Sequence, residues 1–180
     1  ILFTNMTILE FINGLNDIKA ERVLDSILLP AANRVISQFK RRIFNDGEAA
    51  SGAKIGNYST KPAGFSRRQF VKKSTFIGGS DGGDTMQFKG GYKEFRQLQG
   101  RQTAFVDLRL SGSLENSIQL VKDGENAILI AITNEEEAKK ARENEKRFSK
   151  VIFSLSESEK KTFNEALLSG AEKVIKRALR

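Results

Sequence analysis

Residues 118–133, IQLVKDGENAILIAIT, decide the fold class of this 180-residue chain. Isoleucines fall at every second position of its second half, so they share one face of an extended strand. The dipeptide Asp123-Gly124 between the two apolar runs is a hairpin signal. The stretch therefore predicts two antiparallel strands, at 118–122 and 127–133, joined by a tight turn.

A third strand is predicted upstream, at 105–110, because apolar and polar side chains alternate there as in a half-buried strand. The residues in between, 111–117 (SGSLENS), fit either a tight turn or one helical turn capped by Ser111 or Ser113. Both alternatives stay open. The antiparallel sheet is expected to occupy 104–133.

A long helix is predicted before the sheet, over 16–44, where apolar residues recur near helical spacing behind Asn16 or Asp17 as N-cap. Pro30 removes one backbone donor in the middle of this helix. We expect a kink or break near Leu29, which would divide the segment into two helices.

Two helices are predicted after the sheet. The first covers 134–147, with Asn134 as N-cap and three glutamates in its first turn. The second runs to the C-terminus from a capping box formed by Ser156 and Glu159. Its buried face is predicted to carry Phe163, Leu167, Ala171, Val174 and Ala178.

The segment between the first helix and the sheet is rich in glycine and in positive charge. Residues 45–100 hold 11 of the 15 glycines, and 40–101 hold 13 basic against 5 acidic residues. Glycine loses more backbone entropy in regular structure than other residues do, so this segment predicts a long loop or an extended assembly arm outside the core. We expect one α+β domain over 1–180, in four parts: helical 1–44, the extended arm 45–103, the antiparallel sheet 104–133 and the helices of 134–180.

The composition excludes many enzyme classes. The chain has no cysteine and no histidine, so it lacks a disulfide framework, a thiolate nucleophile, and the commonest general base and metal ligand. The run 78–84 is glycine-rich but lacks the Gly-Lys-Ser/Thr of a phosphate loop. We expect no enzyme activity, no catalytic residue, no metal and no cofactor. We also expect no membrane partner, because no apolar run approaches the roughly 18 residues needed to cross a bilayer.

Aromatic residues alternate with basic ones in two parts of the arm, 64–76 and 87–96. Such interleaving is typical of sites that stack single-stranded nucleic acid. It also fits two strands of a projecting hairpin that turns at 78–83, packs its rings on another subunit and leaves its Lys and Arg side chains in solvent, and we favour this second interpretation. We predict subunit contacts for Phe65, Phe70, Phe76, Phe88 and Tyr92. We predict that Arg67, Arg68, Lys72 and Lys73 contact DNA or an acidic partner.

Residues 106–118, VDLRLSGSLENSI, resemble the most recognisable stretch of the tailed-phage virion-morphogenesis or tail-completion (head-tail joining) proteins, in which Leu-x-Ser/Thr-Gly-x-Leu/Met-x-x-Ser-Ile joins two strands. Three further stretches are similar to that family and occur in its order. They are 55–62 (IGNYSTKP) after the long first helix, the dipeptide Tyr92-Lys93, and 153–159 (FSLSESE) before the last helix.

The resemblance implies a structural virion protein of the phage head-to-tail junction, a connector, neck or tail-completion ring subunit, assembled in the host cytoplasm. Its partners would be about six or twelve copies of itself in a ring, neighbouring connector, portal or tail proteins, and packaged DNA through non-specific contact. The formal charge of +8 leaves an alternative, a basic nucleic-acid-binding protein acting outside the virion. A carboxylate-based wall-degrading enzyme of the virion is the remaining rival.

Overall fold

The computed structural model describes residues 24–66, 80–82, 85–123 and 127–178. Within them the chain forms helices and two small antiparallel sheets, so the predicted α+β class is confirmed.

The first helical segment is continuous but changes type twice. Leu24–Leu28 is a π-helical turn, α1 spans Leu29–Lys40, and Arg41–Asn45 is again π-helical. The change at Leu29 falls where Pro30 was expected to disturb the helix, although the backbone of Leu28 stays helical at φ −70° and ψ −47°. Widening the turn accommodates a proline that has no N–H to donate. Residues 16–23 of the predicted helix lie outside the described residues.

The first sheet lies inside the segment predicted as an arm. Strands β1 (Ala63–Ser66), β2 (Ser80–Gly82) and β3 (Thr85–Phe88) pair antiparallel in the order β1-β3-β2. The two aromatic stretches thus pair directly through β1 and β3. Helix α2 (Gly91–Leu98) follows β3, so the second stretch continues as a helix and not as a strand.

The prediction that 45–103 stays outside the core is wrong for its described residues. Rings of Phe65, Phe88, Tyr92 and Phe95 contact one another at centroid distances of 4.8 to 5.7 Å and form a second core beneath the first sheet. Ala49, Ile55 and Tyr58 enter the main core. Gly64 and Gly91 serve this packing, because a Cβ on either one would lie within 3 Å of a neighbouring residue.

The predicted strand at 105–110 is absent, which corrects the expected sheet boundary. Leu108 has φ +51°, a conformation that no strand contains. The alternating pattern has another cause, since the polar Asp107 is itself buried together with Val106. After Gly112, the short helix α3 (Ser113–Ser117) forms, so the helical alternative for this stretch is the one present, but its N-cap is Gly112 and not Ser111 or Ser113.

The two antiparallel strands of the deciding hairpin are confirmed, while the predicted turn between them falls at 124–126, outside the described residues. Strands β4 (Ile118–Asp123) and β5 (Ala127–Ile132) pair antiparallel, with Ile118 opposite Ile132 and Asp123 opposite Ala127. The face that carries Ile118 and Ile132 packs against the main core.

Both C-terminal helices begin at the predicted caps. Helix α4 spans Glu135–Phe148, and the side chain of Asn134 accepts a hydrogen bond from the amide of Glu137. Helix α5 spans Glu157–Ala178. Ser156 and Glu159 form the capping box, at 2.8 Å from the Ser156 amide to the carboxylate and 3.3 Å from the Glu159 amide to the hydroxyl.

The predicted inner face of α5 is only half-buried. The helix packs against α1 and the π-helical turn before it, with Gly170 close to Ile27. Phe163, Leu167, Ala171 and Val174 are each partly covered. In the described part of the chain, no helix combines the length and the apolar character needed to cross a membrane.

Candidate functional site

A cleft of about 370 Å³ opens between the 106–114 segment and helix α4. Core side chains such as Tyr58, Val106 and Phe148 line it together with charged side chains from both walls. These segments are distant in sequence, so the cleft exists only once the main core has formed. Its charged lining residues are Arg96, Arg109, Glu137, Lys140, Glu143 and Arg147.

Behind one wall of the cleft, the buried carboxylate of Asp107 accepts four hydrogen bonds. Oδ1 accepts from the Tyr58 hydroxyl at 2.7 Å and from the Arg109 amide at 2.9 Å. Oδ2 accepts from the Arg96 guanidinium at 2.8 Å and from the Gln102 side-chain amide at 2.7 Å. A carboxylate has about four lone-pair sites, so none is left over for a substrate proton or a metal ion.

Arg96 supplies the positive charge that compensates Asp107. Its side chain is only 2% exposed. The guanidinium also donates to the carbonyls of Gln102 and Arg109 and lies over the ring of Tyr58, 4.3 Å from the centroid. A buried ion pair is tolerated when such additional hydrogen bonds satisfy both partners. The pair therefore fixes the 101–109 segment against α2.

Tyr58 remains a neutral phenol in this environment. Burial raises the pKa of its hydroxyl far above the ordinary value of 10.0, and the hydrogen bond to the Asp107 carboxylate raises this pKa further. The hydroxyl oxygen also accepts from the Asp107 amide at 3.0 Å. Tyr58 is thus a structural donor, because a phenolate base would need a pKa near the working pH.

The wall itself is bent by a strained residue. Leu108 holds φ +51°, which costs a non-glycine residue roughly 1–2 kcal/mol. The hydrogen bonds of Asp107 on one side and of Arg109 on the other hold it in place. Arg109 forms a double hydrogen bond with Glu115, with both nitrogen–oxygen distances at 2.5 Å. This hydrogen bonding raises the pKa of Arg109.

Helix α4 forms the opposite wall of the cleft. Its basic side chain at one end of the cleft, Lys140, has a carboxylate partner, and its basic side chain at the other end, Arg147, has none among the described residues. Lys140 donates to the buried carboxylate of Glu137 at 2.7 Å, and this hydrogen bond raises the pKa of Lys140. At the C-terminal end, the Arg147 guanidinium lies 5.5 Å from the ring centroid of Phe148. Among the described residues Arg147 has no carboxylate partner. The cleft therefore ends at a cation that is open to solvent.

A second cavity, of about 330 Å³, is lined only by apolar side chains. We call it the apolar groove. Helix α1 contributes Val35 and Phe39, strand β5 contributes residues 128–132, and Phe153 and Phe163 complete the lining with their neighbours. Leu129, at its rim, is 48% exposed. Considering only the residues that the structure describes, the groove is an open apolar surface between the second sheet and the helices.

The structure separates the predicted site residues into two groups. Phe88 is 1% exposed and packs inside its own chain, so its assignment to subunit packing is corrected. Phe65 and Tyr92 are half-buried in the same aromatic cluster, which directs most of each ring into the chain itself. The others lie outside the described residues: Phe70, Phe76, Arg67, Arg68, Lys72 and Lys73.

The sequence offered only a weak signal for the Tyr58, Arg96 and Asp107 cluster. An acidic residue in an otherwise alternating pattern looks like the solvent face of a strand, and Asp107 occupies such a position. The one sequence feature that distinguishes Asp107 from a solvent-facing strand residue is the Leu-Arg-Leu-Ser-Gly stretch that follows it. Gly112 in this stretch has φ +86°, so the segment ends there in a left-handed turn.

The described residues include no group of three or more acidic side chains arranged to hold a metal ion. Comparison of the chain with protein-family models, with curated proteins and with solved structures found no match.

Proposed function

We propose that this chain is a non-enzymatic structural subunit of the phage head-to-tail junction, a connector, neck or tail-completion protein that assembles as a ring. The resemblance of residues 106–118 to the tail-completion proteins is the reason for proposing this particular assembly. The observation that carries the proposal is the apolar groove with its exposed rim, a surface that assembly would cover.

The groove and its surroundings carry apolar surface on an otherwise highly charged chain. Val121 lies directly opposite Leu129 in the β4–β5 register, on the sheet face opposite to Ile118 and Ile132, and both are exposed. Contiguous apolar patches on a protein surface mark sites of association. Removing such surface from water contributes about 25 cal/mol per Å², so covering the groove would favour assembly.

The polar cleft supports a scaffold role and not a catalytic one. The carboxylates of Asp107 and Glu115 behind the wall, and of Glu137 in the cleft, are each paired with a cation of the same chain. Glu143, the other carboxylate in the cleft lining, is exposed to solvent. A general acid or base must instead have an atom within reach of substrate and a pKa near the working pH. The cluster holds a bent wall in shape, which is what a subunit needs in order to present fixed contact surfaces.

A ring requires heterologous contacts, in which one surface of a subunit meets a different surface of the next. This chain has two unlike surfaces that meet that requirement, the apolar groove and the charged cleft wall of α4. In our proposal, contacts at the apolar groove hold neighbouring subunits of the ring together.

Electron microscopy of lysates tests the proposal. An amber mutation in the gene that encodes this chain should yield DNA-filled heads and separate tails in place of joined particles. Expression of the wild-type chain from a plasmid should restore joined particles. A normal yield of intact tailed particles from the amber mutant in a non-suppressing host would refute the junction role.

A further inference from the structure

Two phenylalanines and three cations lie together beside the mouth of the cleft, outside every site predicted from the sequence. We call them the basic–aromatic surface: Lys54, Phe105, Arg147, Phe148 and Lys150. Direct contacts join them in two groups, Lys54 with Phe105 and Lys150, and Arg147 with Phe148. The Lys54 ammonium lies 5.4 Å from the Phe105 ring centroid, the Lys150 ammonium donates to the Lys54 carbonyl, and the Arg147 guanidinium lies 5.5 Å from the Phe148 ring centroid.

Both rings are fixed because they rest on glycine backbone. A Cβ placed on Gly47 would stand 2.3 Å from Cδ2 of Phe105, and a Cβ on Gly56 would stand 2.8 Å from Cδ1 of Phe148. No side chain fits at either position without moving the ring. The Val106 amide donates to the Gly56 carbonyl at 3.2 Å, which ties the two ring sites to each other.

The cations are held in place but keep free donors. The Lys54 ammonium donates to the Asp46 carbonyl at 2.7 Å and to the Glu48 carboxylate at 3.1 Å, yet its side chain is still 59% exposed. Lys150 gives one of its three donors to a backbone carbonyl, and Arg147 has no carboxylate partner in the described chain. Three positive charges thus face one paired carboxylate.

The carboxylate of Glu145, at the same end of α4 as Arg147, is held by backbone amides. One oxygen of Glu145 accepts the amides of Ile152 and Phe153 at 2.7 and 2.9 Å, which points this carboxylate group at the backbone after α4. The surface therefore places three cations beside two half-buried aromatic rings.

We propose that the basic–aromatic surface binds the phosphate backbone of nucleic acid without reading its sequence. Fixed cations pair with phosphates and release counterions, and rings beside them contact sugars or unstacked bases. An acidic protein segment would use the cations but gain nothing from the rings. The inference does not depend on the junction role, because it concerns a surface of the isolated chain.

Fluorescence anisotropy on the purified full chain tests this surface, with a labelled duplex of about 30 base pairs and a single strand of the same sequence, between about 50 and 200 mM salt. The test variant is Lys54→Ala/Arg147→Ala/Lys150→Ala. The matched control is Lys160→Ala/Lys161→Ala/Lys173→Ala, which removes the same charge from the exposed side of α5.

The test variant should bind at least about tenfold more weakly at low salt, and its salt slope should fall by about 2 to 3 on duplex. The control should retain the wild-type slope, because none of its three lysines belongs to the basic–aromatic surface and so none is expected to pair with a phosphate there. Equal affinity for both DNA forms supports backbone contact alone, and stronger single-strand binding that Phe105→Ala removes supports stacking as well.

Three results would overturn the inference: no DNA binding by the wild-type chain, an equal loss in the control, or polyglutamate competing with DNA at equal charge concentration. If the triple variant fails to fold by circular dichroism, Arg147→Gln alone gives the test, since its side chain is exposed. It should lower the duplex salt slope by about 1, and an unchanged slope would refute the proposal. DNA binding that persists while the amber mutant yields normal particles would instead indicate a role outside the virion.

Discussion

The side chains of Arg42 and Glu159 form a buried ion pair, with Nε 2.8 Å from Oε1, across 117 positions of sequence. The same guanidinium donates to the carbonyls of Glu48, Ile152 and Ser154. Glu159 meanwhile caps the first turn of α5. One arginine therefore joins the end of the first helical segment, the 46–54 loop and the start of the last helix.

Arg42→Met is expected to destabilise the fold by about 3 to 5 kcal/mol, because it leaves the buried Glu159 carboxylate without its partner. Arg41→Met is the matched control. Arg41 is exposed, and its nearest carboxylate, on Asp46, is 3.7 Å away. Urea denaturation of both variants measures the difference. Equal stability of the two variants would contradict this role of Arg42.

Comparing Gly91→Ala with Gly100→Ala separates the stability cost of backbone strain from the cost of a steric clash. Both glycines have positive φ, +63° and +65°. A Cβ on Gly91 would lie 2.1 Å from the Lys61 carbonyl oxygen, whereas a Cβ on Gly100 would meet nothing within 4 Å. We expect a cost of about 1 kcal/mol at Gly100 and about 3 kcal/mol or more at Gly91. Thermal unfolding measures the difference between the two variants. Similar melting temperatures would show that the backbone of residue 91 does not lie against the backbone of residues 59–61.

The raised pKa of Tyr58 predicts a loss of stability at alkaline pH. The folded chain holds the phenol neutral, while the unfolded chain ionises it near pH 10. The contribution of Tyr58 is thus complete below pH 10 and declines as the pH rises toward its folded pKa. Between pH 9 and 11 the stability advantage over Tyr58→Phe should shrink by up to about 1 kcal/mol.

Urea denaturation at the two pH values measures that change. Tyr92→Phe, which keeps Tyr58 and its contacts with Asp107, is the control and should follow the wild-type pH dependence. A constant difference between wild type and Tyr58→Phe across this range would mean that the phenol is not held neutral.

Local signals were enough to predict the hairpin and the helix caps. The caps at Asn134 and Ser156 depend on residues three positions away, and the two strands of the hairpin follow from their own alternating apolar pattern. The buried charges could not be predicted in this way. Arg42 meets its acid 117 positions later, and Arg96 meets Asp107 only after the chain has turned between them.

Glycine content led to the largest error. Glycines in 45–103 indicated an arm, but Gly91 lies there at φ +63°, close to the backbone of Ser59 and Lys61, within the aromatic core region. Composition alone does not distinguish a glycine that loosens a loop from one that allows close packing. The strand predicted at 105–110 was wrong for a related reason, since alternation does not reveal that Asp107 is buried with its partners.

Leu129→Asp is expected to weaken self-association without unfolding the chain. Leu129 is half exposed at the rim of the apolar groove, so a charge there opposes burial at an interface. Val151→Asp, at a residue 59% exposed and away from the groove lining, is the control. Sedimentation velocity over a range of concentrations measures both. Loss of association in both variants, or in neither, would show that the groove is not part of the interface.

Quantitative mass spectrometry of purified tailed particles, scaled to the portal protein, tests the junction role most directly. We predict about six or twelve copies of this chain per particle, as a closed ring of cyclic symmetry requires. Absence of the chain from those particles, or hundreds of copies in each, would contradict a role as a junction ring subunit.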